Sequence, residues 1–191
     1  MRRATLLLLS LACLLGTAAQ AAPITYRFSG SGSGVLGDIP FSEAAFVATV
    51  NGDTDDVAFQ PPLAAVGALD LTGSILISGL GTFSFSNPLF VFIAFDTVGF
   101  GDFTNGNLIV SLVPGSEAHG LVTNFGPALG GPNTNVNQFV DAATSGGALS
   151  FRTMSDITYE ASTNVVPEPG SVLLMAGGMG ALLLVVRRRR N

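Results

Sequence analysis

Three acidic side chains form the densest oxygen cluster of this 191-residue sequence, in the segment 51–56. Asp53, Asp55 and Asp56 could bind calcium, which prefers several carboxylate and carbonyl oxygens on a flexible loop. The segment departs from the EF-hand pattern, because Asp56 occupies the position of the required glycine and Pro62 that of the bidentate glutamate. A calcium site of another kind and an acidic, solvated hairpin turn are the two interpretations. No other cofactor is indicated.

Asp96 and Asp102 are the acids whose placement best suits glycoside hydrolysis, because both interrupt apolar segments. Retaining or inverting hydrolysis needs two carboxyl groups about 5–10 Å apart in a cleft. The sequence has no Trp and only two Tyr, which leaves little aromatic surface for stacking on sugars. We therefore expect a non-catalytic domain, with a secreted polysaccharide-hydrolysing or polysaccharide-binding module as the alternative.

Other catalytic chemistry finds little support in the residue types. His119 is the only histidine, and its turn-like surroundings predict a solvated loop side chain. A G-x-S-x-G nucleophile motif is absent from the sequence. The segment 32–37 matches G-x-G-x-x-G, but Asp38-Ile39-Pro40 follows instead of a helix, so we interpret the alternating Gly-Ser run from Gly30 as a flexible turn. The sequence contains no Lys, which excludes a Walker-type phosphate loop and a Schiff-base lysine.

The charges are segregated along the chain. Six of the eight Arg lie near the two ends, whereas residues 22–166 hold two Arg and twelve acidic residues, a net charge of −10. All 14 Phe and both Tyr also lie in that span. A chain of this length can bury roughly two thirds of its unfolded surface, which is enough for one domain. Its acidity disfavours nucleic acid and anionic membrane surfaces as partners.

The middle of the chain has the pattern of an all-β domain. Ile24, Tyr26 and Phe28 alternate with polar residues, which predicts a half-buried strand. The nearly continuous apolar segment 89–95 predicts a central strand buried on both faces. Three hairpins are predicted, and they join 71–78 to 81–86, 98–103 to 108–113 (around Asn105-Gly106), and 149–154 to 157–161. Eight or nine short strands favour an antiparallel β-sandwich or jelly roll over residues 22–164.

Residues 114–138 differ from the rest of this domain, because glycines and prolines interrupt them repeatedly. Asn133, Asn135 and Asn137 alternate, so an extended conformation would have one amide-rich face. Loops of this length are uncommon unless they are functional or mobile. We interpret the segment as a crossover connection between two sheets, with a binding loop for a polar ligand such as a glycan as the alternative.

The N-terminal residues 1–21 are typical of a secretory signal peptide. Arg2 and Arg3 precede the apolar segment 6–15, which is too short to span a membrane comfortably. Ala19 and Ala21 supply small side chains at positions −3 and −1 of a cleavage site before Ala22. The sequence thus predicts an exported protein that begins at Ala22.

The C-terminal residues predict a short membrane anchor. Residues 170–186 are free of charged side chains and form a predicted transmembrane helix. Four arginines follow at once, Arg187, Arg188, Arg189 and Arg190. Flanking arginines stay on the cytoplasmic side, so the acidic domain is expected on the other side of the inner membrane. The export signal independently predicts the same side.

Pro167, Glu168 and Pro169 stand immediately before this helix and favour an extended, stiff backbone. Together with the short apolar helix and the arginine cluster, they resemble the PEP-CTERM sorting signal of Gram-negative bacteria, here over residues 165–191. The resemblance implies that an exosortase, a membrane protease, recognises Pro167, Glu168 and Pro169 and removes the anchor. It further implies a location at the cell surface or in the extracellular matrix, among exopolysaccharide and biofilm components.

Overall fold

The computed structural model describes residues 21–60, 65–131, 141–155 and 157–163. This part of the chain is an antiparallel, mainly β fold, which confirms the predicted class. The predicted signal helix and transmembrane helix belong to segments outside these residues. Within the residues described, no helix is long and apolar enough to cross a membrane.

Twelve strands and two short 3₁₀ turns make up the described residues. The strands are β1 (Pro23–Leu36), β2 (Ile39–Asp53), β3 (Val57–Gln60), β4 (Ala65–Ile77), β5 (Gly81–Ser84), β6 (Leu89–Ala94), β7 (Thr97–Asp102), β8 (Gly106–Leu112), β9 (Phe125–Leu129), β10 (Ala142–Thr144), β11 (Gly147–Met154) and β12 (Thr158–Thr163). The 3₁₀ turns are Thr54–Asp56 and Ser116–His119.

The first sheet is built around β1, which pairs with β2 along one edge and with β11 and β12 along the other. β2 pairs with β4, and β4 pairs with β5. On the other side, β11 pairs with β10 and β12 pairs with β9. Phe85, just after β5, forms an isolated bridge with Thr144 of β10. The two outer strands therefore meet, and the first sheet nearly closes on itself.

The second sheet has the order β3-β4-β6-β7-β8 and shares β4 with the first. Residues 72–77 of β4 pair in the first sheet, and the preceding part of the strand pairs in the second. The crossover point is a bulge between Ala68 and Leu71, where Asp70 takes a φ of +57°. Bulges bend a strand and increase its twist, which is what allows one strand to serve both sheets.

The core includes side chains from both sheets and is rich in aromatic rings. On β1 the alternation predicted from the sequence is confirmed, because Ile24, Tyr26 and Phe28 are buried. The ring of Phe28 lies 4.8 Å from that of Phe100 on β7, centroid to centroid, which joins the faces of the two sheets. Phe28 also contacts Tyr159 on β12 at 5.0 Å. Aromatic pairs at these spacings are favourable beyond the apolar area that they bury.

Two of the three predicted hairpins are confirmed. β4 pairs with β5, and β7 pairs with β8 around a turn in which Gly106 takes a φ of +88°. β6 and β7 form a further hairpin, whose two turn residues, Phe95 and Asp96, both have positive φ. A two-residue turn with this backbone matches the right-handed twist of the strands that it joins. Residues 41–50 belong to β2.

The third predicted hairpin is wrong. β11 and β12 lie end to end along β1, β11 opposite residues 32–36 and β12 opposite residues 24–29. Ser155, between them, stays in register with Ser31, because its N–H donates to the Ser31 carbonyl at 2.8 Å. Long-range pairing with a 14-residue β1 therefore replaces the local turn that the sequence predicted.

Two further expectations need correction. The Gly-Ser segment after Gly30 is not a flexible turn, since β1 runs through it to Leu36. Gly34 has no room for a side chain there, because a Cβ would lie 2.1 Å from the Ser150 carbonyl oxygen. β6 is central in its sheet, yet it is fully buried on one face only. On its outer face the Phe92 ring covers the backbone of Gly99.

The first and last described strands bring the ends of the β domain together. Ile24 pairs with Thr163, so their Cα atoms lie about 5 Å apart, the usual spacing of an antiparallel pair. The chain also passes from β8 in the second sheet to β9 beside β12, as expected for a crossover connection. Asn133, Asn135 and Asn137 lie outside the described residues.

Candidate functional site

The acidic segment predicted to bind calcium forms a capped 3₁₀ turn. The Asp53 carboxylate accepts the N–H of Asp55, and the Asp56 carboxylate accepts the N–H of Asp53 at 3.0 Å. These bonds satisfy backbone donors that the start of a turn leaves unpaired. Among the residues described, no group of three or more His, Cys, Asp or Glu side chains is arranged to hold a metal ion. Calcium binding here stays a prediction, which calorimetry on the full chain can test.

The structure does not bring Asp96 and Asp102 together. They flank opposite ends of β7, and six residues of extended strand correspond to roughly 20 Å at about 3.3 Å per residue. That separation is too large for either form of two-carboxylate glycoside hydrolysis. This particular pair therefore cannot serve as the catalytic acids.

Both carboxylates instead hold turns. Asp102 is buried, and its Oδ1 accepts the N–H groups of Thr104 and Asn105 at 2.8 and 2.6 Å. Oδ1 of Asp96 accepts the N–H of Gly115 at 3.0 Å and that of Glu117 at 3.4 Å, which ties the β6–β7 turn to the 3₁₀ turn Ser116–His119. Charge-assisted bonds of this kind are stronger than neutral ones.

His119 is not a solvated loop side chain, as the sequence predicted, because it is 4 % exposed. Its ring stacks on that of Phe125, with centroids 5.0 Å apart, and its Nε2 lies 3.1 Å from the Tyr159 hydroxyl. A 3₁₀ turn ends at His119, and the His119 side chain packs against Phe125 of β9 and Tyr159 of β12. Burial lowers the pKa of His119.

Two buried tyrosines complete this cluster. The Tyr26 hydroxyl donates to the Leu121 carbonyl at 2.8 Å, and burial raises the pKa of Tyr26. Burial also raises the pKa of Tyr159, with a smaller contribution from Tyr26. His119 therefore stays neutral among groups that are themselves neutral at physiological pH. Among the residues described, no acid is hydrogen-bonded to the His119 ring, and Thr123 reaches only its backbone carbonyl, so the cluster has the composition of a polar core rather than of a catalytic triad.

Two of the concave surfaces on the described domain have the volume of a site for a small ligand. The larger, about 670 Å³, lies along β2, β4 and the turn before β5, and none of the residues that line it is charged. The smaller, about 390 Å³, is lined by residues of β1, β2 and β11 with Ser155. It alone of the two combines hydroxyl groups with a carboxylate, that of Glu43.

Glu43 occupies an unusual place in the fold. It lies with Ser42 opposite the single residue Ser33, in a bulge of β2 against β1. Its φ of +49° is in the left-handed region, and its N–H donates to the Ser33 hydroxyl at 2.9 Å. The sequence does not point to this residue, because an isolated Glu in a strand carries no motif and the bulge depends on the register between β1 and β2.

The remaining predicted site residues lie at the start of the described residues or outside them. Ala19, Pro167, Glu168, Pro169 and the arginines 187–190 lie outside the described residues. Ala21 is described, and Ala22 belongs to the fold, since its N–H donates to the Thr54 hydroxyl at 3.0 Å. Comparisons with family models, with curated proteins and with solved structures found no match to this chain.

Proposed function

We propose that the chain is an exported surface or extracellular-matrix protein that an exosortase-type membrane protease sorts through residues 165–191. The observation that carries the proposal is the order of three features: Pro167-Glu168-Pro169, the apolar segment 170–186, and the arginines 187–190. An extended segment next to the membrane suits proteolysis, because a helix hides its scissile carbonyl groups. The protein is anchored in the inner membrane until cleavage and then passes to the cell surface or matrix.

The β domain between the two processing sites is proposed as a non-catalytic, sandwich-like or jelly-roll-like ectodomain. The contact between Phe28 and Phe100 supports a two-layer arrangement. The turn-capping roles of Asp96 and Asp102 argue against these two acids as a catalytic pair. Exopolysaccharide is the partner that the sorting signal suggests, and nucleic acid is disfavoured by the net charge of −10 over residues 22–166.

The two ends of the β domain lie close together, which supports attachment of the domain to the membrane at one place. Because Ile24 pairs with Thr163, the segments that lead to the export signal and to the anchor leave the β domain side by side. Both can then approach the same membrane without crossing the domain. This geometry is compatible with the topology that the arginine cluster predicts.

The experiment that tests the proposal is mass spectrometry of the protein purified from its native host. We expect an N-terminus at Ala22 and a C-terminus that lacks Arg187–Arg190. Replacing Pro167, Glu168 and Pro169 by Ala should leave the C-terminus intact. Pro114→Ala, a change at an exposed proline in the β domain, serves as the matched control and should be processed like the wild type.

An intact C-terminus in cells that contain an exosortase would argue for a permanent anchor and against sorting. Cytosolic protein with residues 1–21 still attached would contradict export. Normal processing of the triple alanine variant would remove the recognition role of the Pro-Glu-Pro segment.

A further inference from the structure

We propose that the pocket beside Glu43 binds a neutral saccharide unit, with the Glu43 carboxylate as the main acceptor for its hydroxyl groups. The pocket lies on β1, β2 and β11 and is formed by Ser31, Gly32, Ser33, Glu43, Thr153, Met154 and Ser155. Its volume of about 390 Å³ falls in the usual range for sites of small ligands, roughly 300–1,000 Å³. The proposal goes beyond sorting and does not depend on the C-terminal signal.

Three irregularities of the sheet coincide at this pocket. β2 bulges at Glu43, where two residues oppose Ser33. β11 has its own register shift opposite the step from Ser33 to Gly34. At Ser155 the strand that pairs with this edge of β1 changes from β11 to β12. Bulges re-aim side chains and are over-represented beside functional sites, so their coincidence here marks a shaped surface and not a regular strand face.

The backbone of Glu43 is held in a conformation that a side chain disfavours. A φ of +49° suits glycine, yet the position carries a long charged side chain. The N–H of Glu43 is fixed by the Ser33 hydroxyl, which locks the bulge in place. Strained positions of this kind persist where the surrounding structure over-determines them, and they cluster at ligand-binding positions.

The polar groups of the pocket match a polyhydroxyl ligand. Ser31 and Ser155 hold each other through a hydroxyl–hydroxyl bond of 3.1 Å, and the Ser155 hydroxyl also accepts the Ser31 N–H. Serine and threonine hydroxyls both donate and accept, as sugar hydroxyls do. A carboxylate only accepts, and its two oxygens can take hydrogen bonds from two neighbouring hydroxyls of one ring.

The charge of the pocket selects against acidic ligands. Among the residues described, the Glu43 carboxylate has no hydrogen-bond or ion-pair partner, so its acceptor capacity is available. The negative charge of the whole domain adds long-range repulsion of anions. Met154 and Gly32 supply an apolar part of the wall for the C–H face of a sugar ring. These properties favour a neutral saccharide over an acidic one.

The test uses the full chain, purified in a nonionic detergent, and a panel of immobilised glycans. The panel contains tetrasaccharides of glucose, galactose, mannose and N-acetylglucosamine, together with oligogalacturonate as an acidic probe. We expect binding to at least one neutral glycan and none to oligogalacturonate. Calorimetry with the best neutral probe should show that Glu43→Gln weakens binding at least tenfold.

Two further variants separate binding from folding. Glu160→Gln removes the same charge on β12, outside the pocket, and should bind like the wild type. Glu43→Gly removes the carboxylate but relieves the positive φ, so it should lose binding while its melting temperature stays the same or rises.

Equal affinity of the wild type and Glu43→Gln overturns the proposal, and so does binding to none of the neutral glycans. Stronger binding of oligogalacturonate than of the neutral probes overturns it as well. Ethanolamine serves as a cationic probe, and binding of ethanolamine without any saccharide binding would assign the pocket to amines instead. None of these results affects the mass-spectrometric test of sorting, so the two proposals can fail separately.

Discussion

His119 is a buried titratable residue whose lowered pKa links the stability of this domain to pH. It is the single histidine of the chain, it is buried, and its Nε2 is paired with the hydroxyl of Tyr159. Its Nδ1 has no hydrogen-bond partner among the residues described. Protonation would place a charge beside Phe125 and Tyr159, where none of the described acids lies within hydrogen-bond reach to compensate it.

We expect the free energy of unfolding to decrease as the pH falls below about 6.5, the ordinary pKa of histidine. Because the folded-state pKa of His119 is lowered, the unfolded chain binds the proton first and acid favours unfolding. This stability is present above the unfolded-state pKa and is lost as the pH falls through the folded-state pKa. Urea unfolding of the full chain at pH 8, 6.5 and 5 measures it.

The matched variant is His119→Gln, which keeps a polar side chain but cannot titrate. Its stability should be lower at pH 8, and the difference from the wild type should shrink as the pH falls. A constant difference across this range would show that His119 does not titrate differently in the two states. The carboxylates common to both proteins cancel in this comparison.

The residues that the sequence placed wrongly share one property, which is that their surroundings come from distant parts of the chain. His119 lies in a turn-like segment, and its burial depends on Tyr159, forty residues further along. Asp102 was considered as a catalytic acid. The turn that it caps is formed by neighbouring residues, whereas its burial depends on residues that are distant in the sequence. Residue types and their spacing alone do not predict contacts between distant parts of the chain.

At the scale of elements, the long strand β1 requires glycine where its neighbours approach most closely. A Cβ on Gly34 would lie 2.1 Å from the Ser150 carbonyl oxygen and 2.9 Å from the Phe41 ring. The carbonyl belongs to the backbone of β11 and cannot move aside without breaking the pairing. Gly131, in contrast, would place its Cβ no closer than 3.7 Å to any neighbour.

Gly34→Ala should therefore lower the free energy of unfolding by about 1–3 kcal/mol, as overpacking does in other cores. Gly131→Ala should change it by less than about 1 kcal/mol, since only ordinary contacts are added. Urea unfolding of both variants checks the comparison. Equal effects of the two substitutions would mean that β1 and β11 separate easily at this point.

The elements that could be predicted from the sequence are those with local signals. The β7–β8 hairpin follows from Asn105-Gly106 and from the apolar segments on either side, and β1 follows from its alternation. The pairing of β11 and β12 with β1 spans more than a hundred residues, so no turn signal announces it. The pocket could not be predicted from the sequence for the same reason, because the bulge at Glu43 is defined by the pairing of β2 with β1.

The net charge of the β domain affects the stability of the whole molecule. Residues 22–166 carry twelve acidic side chains and two arginines, Arg27 and Arg152. Net charge far from zero destabilises a compact state through self-repulsion. Sodium chloride screens this repulsion, with a Debye length of about 10 Å at 0.1 M.

We accordingly expect the free energy of unfolding to rise when sodium chloride is increased from 10 to 200 mM at pH 7.5. Chloride is chosen because sulfate also strengthens apolar burial and would confuse the comparison. A variant with Asp38→Asn and Asp55→Asn, both at exposed turn positions, should show a smaller increase. A decrease of stability with salt would instead indicate that attractive ion pairs dominate.

The position of β1 in the first sheet sets the order in which the domain can fold. β1 is the first strand to leave a ribosome or a translocation channel, and β2 can join it at once. Its other edge stays unsatisfied until β11 and β12 arrive, almost at the end of the domain. Exposed strand edges are prone to pair wrongly with other chains. A chain that emerges N-terminus first therefore carries an open edge for most of its synthesis or transport, and slow delivery of β11 and β12 favours aggregation.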